Sequence, residues 1–124
     1  MITGGRRGTQ VKRRQTHATF VGVMQEVGAS GLTQAELAKA VGASVRTLQT
    51  WAAGTSQPTG VRATRLLDVK LILEKLRDVY TEEGIRIWLH SRNSDLGMRR
   101  PIELLEQGEI DAVLDEVDSL VGGW

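Results

Sequence analysis

Residues 32–54 read LTQAELAKAVGASVRTLQTWAAG. Thr33 and Glu36 have the spacing of a capping box, in which each side chain satisfies an orphan backbone N–H at a helix start. Leu37 and Val41 follow on one inward face, and Gly42 permits the left-handed turn that ends the element. Ser44 is a second N-cap. Leu48 and Trp51 then lie three apart on one face of a further helix, which Gly54 closes. The expectation is two short helices around a glycine turn, with the small Ala38 where they cross.

Upstream, residues 1–15 (MITGGRRGTQVKRRQ) are rich in Gly, Arg and Lys and are expected to form a disordered basic arm. From Thr16 the residues Phe20, Val23, Met24 and Val27 recur at helical spacing, predicting a helix that stops near Gly28. Residues 16–60, ending in the loop TSQPTG, form the first folded unit. Over 61–80, Val61, Leu66, Val69, Leu73, Leu76 and Tyr80 set a long helical stripe, widened by Leu67, Leu71, Ile72 and Val79. So broad a stripe suits more than one neighbour, a second copy of the chain included.

The rest, 81–124, divides into short helices. Thr81 followed by Glu82 and Glu83 starts one that carries Ile85, Trp88 and Leu89, with Trp88 read as a core anchor. The polar loop SRNSDLGMRR follows, and Pro101 opens a helix with Leu104 and Leu105 that ends at Gly108. The last helix sets Ile110, Val113, Leu114, Val117, Leu120 and Val121 against Asp111, Asp115, Glu116 and Asp118. Gly122 and Gly123 break it before Trp124. No long alternating apolar–polar run occurs, so the fold class is all-α.

The formal charge of +1 over 124 residues conceals an asymmetry. Residues 1–65 hold nine Lys and Arg against two carboxylates, net +7, whereas 66–124 hold seven against thirteen, net −6. A basic half suits a polyanion and an acidic half is repelled by one, so two ends with two partners are indicated. Solvated charges segregated without function are the plain alternative. With no cysteine, disulfides and thiolate metal sites are excluded. No apolar run approaches the length of a membrane span or a signal peptide, and a cytoplasmic protein is expected. His17 and His90 have no second ligand at metal spacing, and no GxxxxGK loop occurs. Neither an enzyme nor a bound cofactor is expected.

Two helices that read DNA must hold the second one rigidly, so that its first turns reach base edges in the major groove. The exposed set here is Ser44, Val45, Arg46, Gln49 and Thr50. Arg46 is able to bond guanine, and Gln49 a base edge or phosphate. Gln34, at the start of the preceding helix, is placed for a phosphate. On these residues the stretch GLTQAELAKAVGAS…LQTW…G…P resembles the Xre (Cro/repressor-like) helix-turn-helix, with Ala52 where that family often has an acidic residue. A homodimer on two half-sites would offset the weak affinity of one module.

A second resemblance spans the C-terminal part. Trp88, Asn93, Leu96, Pro101, Leu104-Leu105, Gly108 and the helix over 110–121 follow the frame of the toxin-binding domain of Xre/MbcA/ParS antitoxins. Together the two resemblances cover residues 30 to 121 and imply a type II antitoxin. Its partners would be a RES-domain toxin that destroys NAD⁺ and its own operator DNA. The architecture would be a helix-turn-helix joined by the 61–80 helix to a small toxin-binding domain. In that family the C-terminal region covers the toxin's nucleotide pocket. Here this implicates Arg92, Asn93, Arg99 and Arg100 in the loop, and Leu120, Val121, Gly122, Gly123 and Trp124 in the tail.

Guanidinium groups suit carboxylate or phosphate partners, and a Trp after two glycines is able to swing into a pocket. Asn93 has a second reading as a loop-stabilising side chain, and the arginines as partners of helix ends. The rival functional reading is a stand-alone Xre-type repressor whose C-terminal half dimerises or senses a ligand.

Overall fold

The computed structural model describes residues 20–122, and the basic arm, Gly123 and Trp124 lie outside the described residues. Seven α-helices and one 3-10 turn occur in this span. The first, α1, runs over 20–28, and α2 (Gln34–Val41) and α3 (Val45–Ala53) form the pair expected from the quoted stretch. They are followed by α4 (Gly60–Arg77), α5 (Glu82–His90), the 3-10 turn (Ser94–Leu96), α6 (Pro101–Glu106) and α7 (Ile110–Gly122). The only bridge between extended residues is the isolated pair Asn93 and Arg99, so the all-α class holds among the described residues.

The caps form as their residue types dictate. Thr33 Oγ1 accepts from the Glu36 N–H at 3.1 Å, and Glu36 Oε1 accepts from the Thr33 N–H at 2.9 Å. Gly42 sits at φ 79, where a side chain would be strained, and its N–H donates to the Ala38 carbonyl. Ser44 Oγ accepts from Thr47 N–H at 3.0 Å, and Thr81 does the same for Gly84 at 3.1 Å. Pro101 stands at the first turn of α6, where its missing N–H costs nothing.

One hydrophobic cluster runs through the molecule, from Val23 and Val27 on α1 to Val113 and Val117 on α7. At its centre α4 packs along α7 and against α2 and α5, and α2 also meets α6. Asp68 and Asp111 share a cavity near the starts of α4 and α7, and Lys75 Nζ binds Asp118 Oδ1 at 2.5 Å near their ends. The two helices therefore run in the same direction. The 61–80 segment thus serves as the central support of both halves as well as their connection.

The stripe on α4 is narrower than its composition promised. Leu66, Val69, Ile72, Leu73 and Leu76 are buried, at the 3.6-residue period. Val61, Leu67 and Leu71 remain exposed because they fall on the opposite side of that period or on the first turn. Val79 and Tyr80 are exposed because the helix ends at Arg77, and their amides close the turn on the Leu76 carbonyl.

Candidate functional site

Two outward surfaces carry the residues singled out by the sequence. On the first, Gln34 is exposed at the first position of α2, and Arg46 and Gln49 are exposed on α3. Arg46 has no ion pair or hydrogen-bond partner among the described residues, so its guanidinium is available. Ser44 and Thr50 are engaged otherwise. Ser44 Oγ caps α3, while Thr50 Oγ1 donates to the Thr47 carbonyl at 2.7 Å and lies 2.5 Å from Ser56 Oγ. Val45 is half-buried against the core. Ser44, Val45 and Thr50 are thus held by the fold, whereas Gln34, Arg46 and Gln49 project outward.

Arg62 was not among the candidate residues, yet its Nε donates to the Gly42 carbonyl at 3.0 Å, which sets a second cation beside the turn into α3. Only the packing of α4 brings it there, twenty residues on. The basic charge of the N-terminal half was the one available signal.

The second surface is the loop between α5 and α6. Asn93 organises it: Oδ1 accepts from the Asp95 N–H at 2.9 Å, and the backbone carbonyl accepts from Leu96 and Met98. The Asn93 N–H donates to the Arg99 carbonyl at 3.0 Å, and Nδ2 reaches Glu116 Oε2 on α7 at 3.5 Å. The Asn93 side chain thus joins the loop to its own turn and to α7. Leu96 is buried, which seats the loop on α7.

Each of the three arginines has an internal partner. Arg92 Nη1 donates to the Met98 carbonyl at 3.1 Å, Arg99 Nη1 meets Glu109 Oε2 at 3.3 Å, and Arg100 Nε meets Glu103 Oε1 at 3.4 Å. The side chains of Arg99 and Arg100 remain 47% and 44% exposed, so these surface pairs leave them open to an outside carboxylate. Leu120 and Val121 are half-buried on α7, and Gly122 is exposed as its last residue. Trp88 is half-buried against the core, as an anchor would be.

The titratable groups show how these surfaces are joined. His90 Nε2 lies 2.7 Å from Glu36 Oε2, and its Nδ1 lies 2.8 Å from the Arg86 carbonyl. The hydrogen bond to Glu36, with that to Arg86, raises the His90 pKa above its ordinary value. Partial burial pushes the Glu36 carboxyl up, but the Thr33 N–H and His90 together outweigh this and hold it below its ordinary value. The sequence showed only a lone histidine at a helix end, since its partner lies fifty-four residues away. Glu116, expected on the solvated acidic face, is half-buried, and burial with the nearby Asp95 raises its pKa. No group of three or more His, Asp and Glu gathers at metal-holding geometry among the described residues.

Known proteins combine the same two parts. Residues 24–69 match a helix-turn-helix family, and residues 75–123 match the antitoxin Xre/MbcA/ParS C-terminal toxin-binding domain. The mycobacterial cidal antitoxin MbcA of Mycobacterium bovis is 31% identical over 93 residues, covering 75% of this chain and 82% of that protein. A probable mycobacterial cidal antitoxin of Mycobacterium tuberculosis is 30% identical over 93 residues, covering 75% and 79%. The crystal structure of the M. tuberculosis MbcT–MbcA toxin–antitoxin complex contains a chain of the same fold. The TM-score is 0.68 at 29% identity, over 87% of this chain and 95% of that one. With a helix-turn-helix and an Xre/MbcA/ParS C-terminal domain built around one core, the chain belongs to the MbcA antitoxin family.

Proposed function

We propose that this protein is the antitoxin of a type II toxin–antitoxin pair. It binds a RES-domain toxin that degrades NAD⁺, keeps it inactive, and represses its own operon through the helix-turn-helix. It acts by binding and not by turnover. The observation that carries the reading is the similarity to MbcA antitoxins across three quarters of the chain.

Neutralisation follows from occlusion. The loop that carries Arg92, Asn93, Arg99 and Arg100, with the end of α7 and the tail to Trp124, covers the mouth of the toxin's nucleotide pocket. NAD⁺ then has no entry while the complex lasts. Exposed guanidinium groups suit a mouth rimmed with carboxylates, and the rigid seat of the loop on α7 lowers the entropy lost on docking.

Operator binding uses Arg46 and Gln49 toward base edges and Gln34 toward a phosphate. Two copies reading two half-sites supply the affinity that one module lacks, and the exposed Leu67 and Leu71 on α4 are available for their contact. Both activities belong in the cytoplasm, where the operator is.

The test is co-expression with the adjacent reading frame, with cellular NAD⁺ and co-purification as readouts. Depletion by the neighbour alone and rescue in a stable complex are expected. A harmless neighbour that does not co-purify would leave a stand-alone repressor. Arg46→Ala should weaken operator binding about tenfold or more, read by titration at several salt concentrations, with toxin inhibition intact.

A further inference from the structure

The loop between α5 and α6 holds one backbone outlier. Met98 sits at φ 63, and it is the only residue other than glycine with positive φ among the described residues. A long side chain is disfavoured in this left-handed region, where glycine is at ease. The conformation is nevertheless firmly held. The Met98 N–H donates to the Asn93 carbonyl at 2.9 Å, and the Met98 carbonyl accepts from Arg92 Nη1 at 3.1 Å. On either side, Asn93 and Arg99 pair through their backbones.

The Met98 side chain gives nothing back to the core in return for this strain. It is 54% exposed, while Leu96, two residues earlier, is the apolar side chain that the loop buries. The fold alone would therefore be served as well or better by a glycine. Strain held in place by surrounding structure is a feature of ligand clamps and binding loops. An unbranched, polarisable thioether adapts well to an irregular apolar pocket. Around it stand Arg92, Arg99 and Arg100, the last two nearly half-exposed.

The geometry points to Met98 as an anchor of the toxin interface, entering an apolar pocket whose rim carries carboxylates that face the three arginines. This rests on the antitoxin reading above and adds to it a residue and a partner chemistry. The loop backbone is held by its own hydrogen bonds, so docking orders side chains and little backbone.

The experiment measures binding of the full chain and of Met98→Gly, Met98→Leu and Met98→Glu to the toxin encoded beside it, by calorimetry, with Tm recorded for each variant. Met98→Gly is expected to keep or raise Tm while weakening binding at least tenfold. Met98→Leu is expected to bind within about threefold of the wild type, and Met98→Glu at least a hundredfold more weakly, as a carboxylate placed against an acidic rim. Four results overturn the proposal: Met98→Gly binding as tightly as wild type, Met98→Gly lowering Tm, Met98→Leu as weak as Met98→Gly, or Met98→Glu unimpaired. Failure of the wild-type chain to bind the toxin overturns the antitoxin reading itself, and this inference with it.

Discussion

The turn between α2 and α3 and the loop between α5 and α6 both reverse the chain through left-handed backbone, at Gly42 in one and at Gly97 and Met98 in the other. They are stabilised by different means. Around the first turn, Thr33 with Glu36 and Ser44 with Thr47 each close a bond three residues apart. Around the second, Asn93 reaches Glu116 across twenty-three residues, Arg99 reaches Glu109, and Leu96 is buried where the loop meets α7. The caps of the first region are local and are specified within its own sequence, although Arg62 from α4 also bonds the Gly42 carbonyl. A loop that depends on α7 takes its shape only once the chain has folded.

The strongest way to break that contrast is to attack what both regions share. Leu73→Ala, in the middle of α4 and fully buried, should cost about 2–5 kcal/mol through lost burial and a residual cavity. Hydrogen exchange at Thr50 on α3 and at Met98 in the loop should rise together, since one core supports both. Separate transitions would show that each region stands on its own.

A smaller effect is expected at the loop itself. Asn93→Ala removes the Asp95 cap and the reach to Glu116, and should cost about 1–2 kcal/mol. Exchange should rise at the Met98 and Arg99 amides and stay unchanged in α3. Ser44→Ala, which removes a single N-cap bond, should cost about 1 kcal/mol and show the reverse pattern. Loosening of the loop by Ser44→Ala would contradict the local character of the first region.

The smallest effect concerns the bond that ties the two regions together. His90 has a raised pKa, so its contribution is fully present below its ordinary value of 6.5 and is lost as pH rises through the folded value. Glu36 has a lowered pKa, so its contribution is present above its ordinary value of 4.5 and is lost as pH falls through the folded value. The pair therefore stabilises most between these ordinary values, with the Arg100 charge opposing protonation of His90 and the Glu83 and Arg86 side chains lining the same cavity. With both side chains partly exposed, its worth is below about 1 kcal/mol. The Tm difference between wild type and His90→Gln should be largest at pH 5–6 and shrink toward pH 8.5. A difference flat across that range would dismiss the ion pair as a link.

Several features of the chain follow from sequence because their causes lie within one turn of helix. The capping box at Thr33, the caps at Ser44 and Thr81, the stops at Gly42 and Gly54, and the opening of α6 at Pro101 all depend on residues within about four positions. The inward face of α3, with Leu48 and Trp51 buried, follows from the same short periodicity. So does the all-α class, and on it the two resemblances that led to the antitoxin family.

Which apolar residues of α4 are covered was decided only by packing, because Leu66 and Leu67 differ in burial through their position relative to α7 and α2 and not through their chemistry. The same holds for Glu116, drawn into the loop by Asn93, and for His90, paired with a carboxylate from the other half. At Met98 the left-handed backbone is imposed by partners at Asn93 and Arg92, against the preference of methionine itself. Helix starts and stops are short-range equilibria that the sequence by itself determined. Burial, pairing across the core and imposed strain depend on contacts between distant residues, which form only in the tertiary structure.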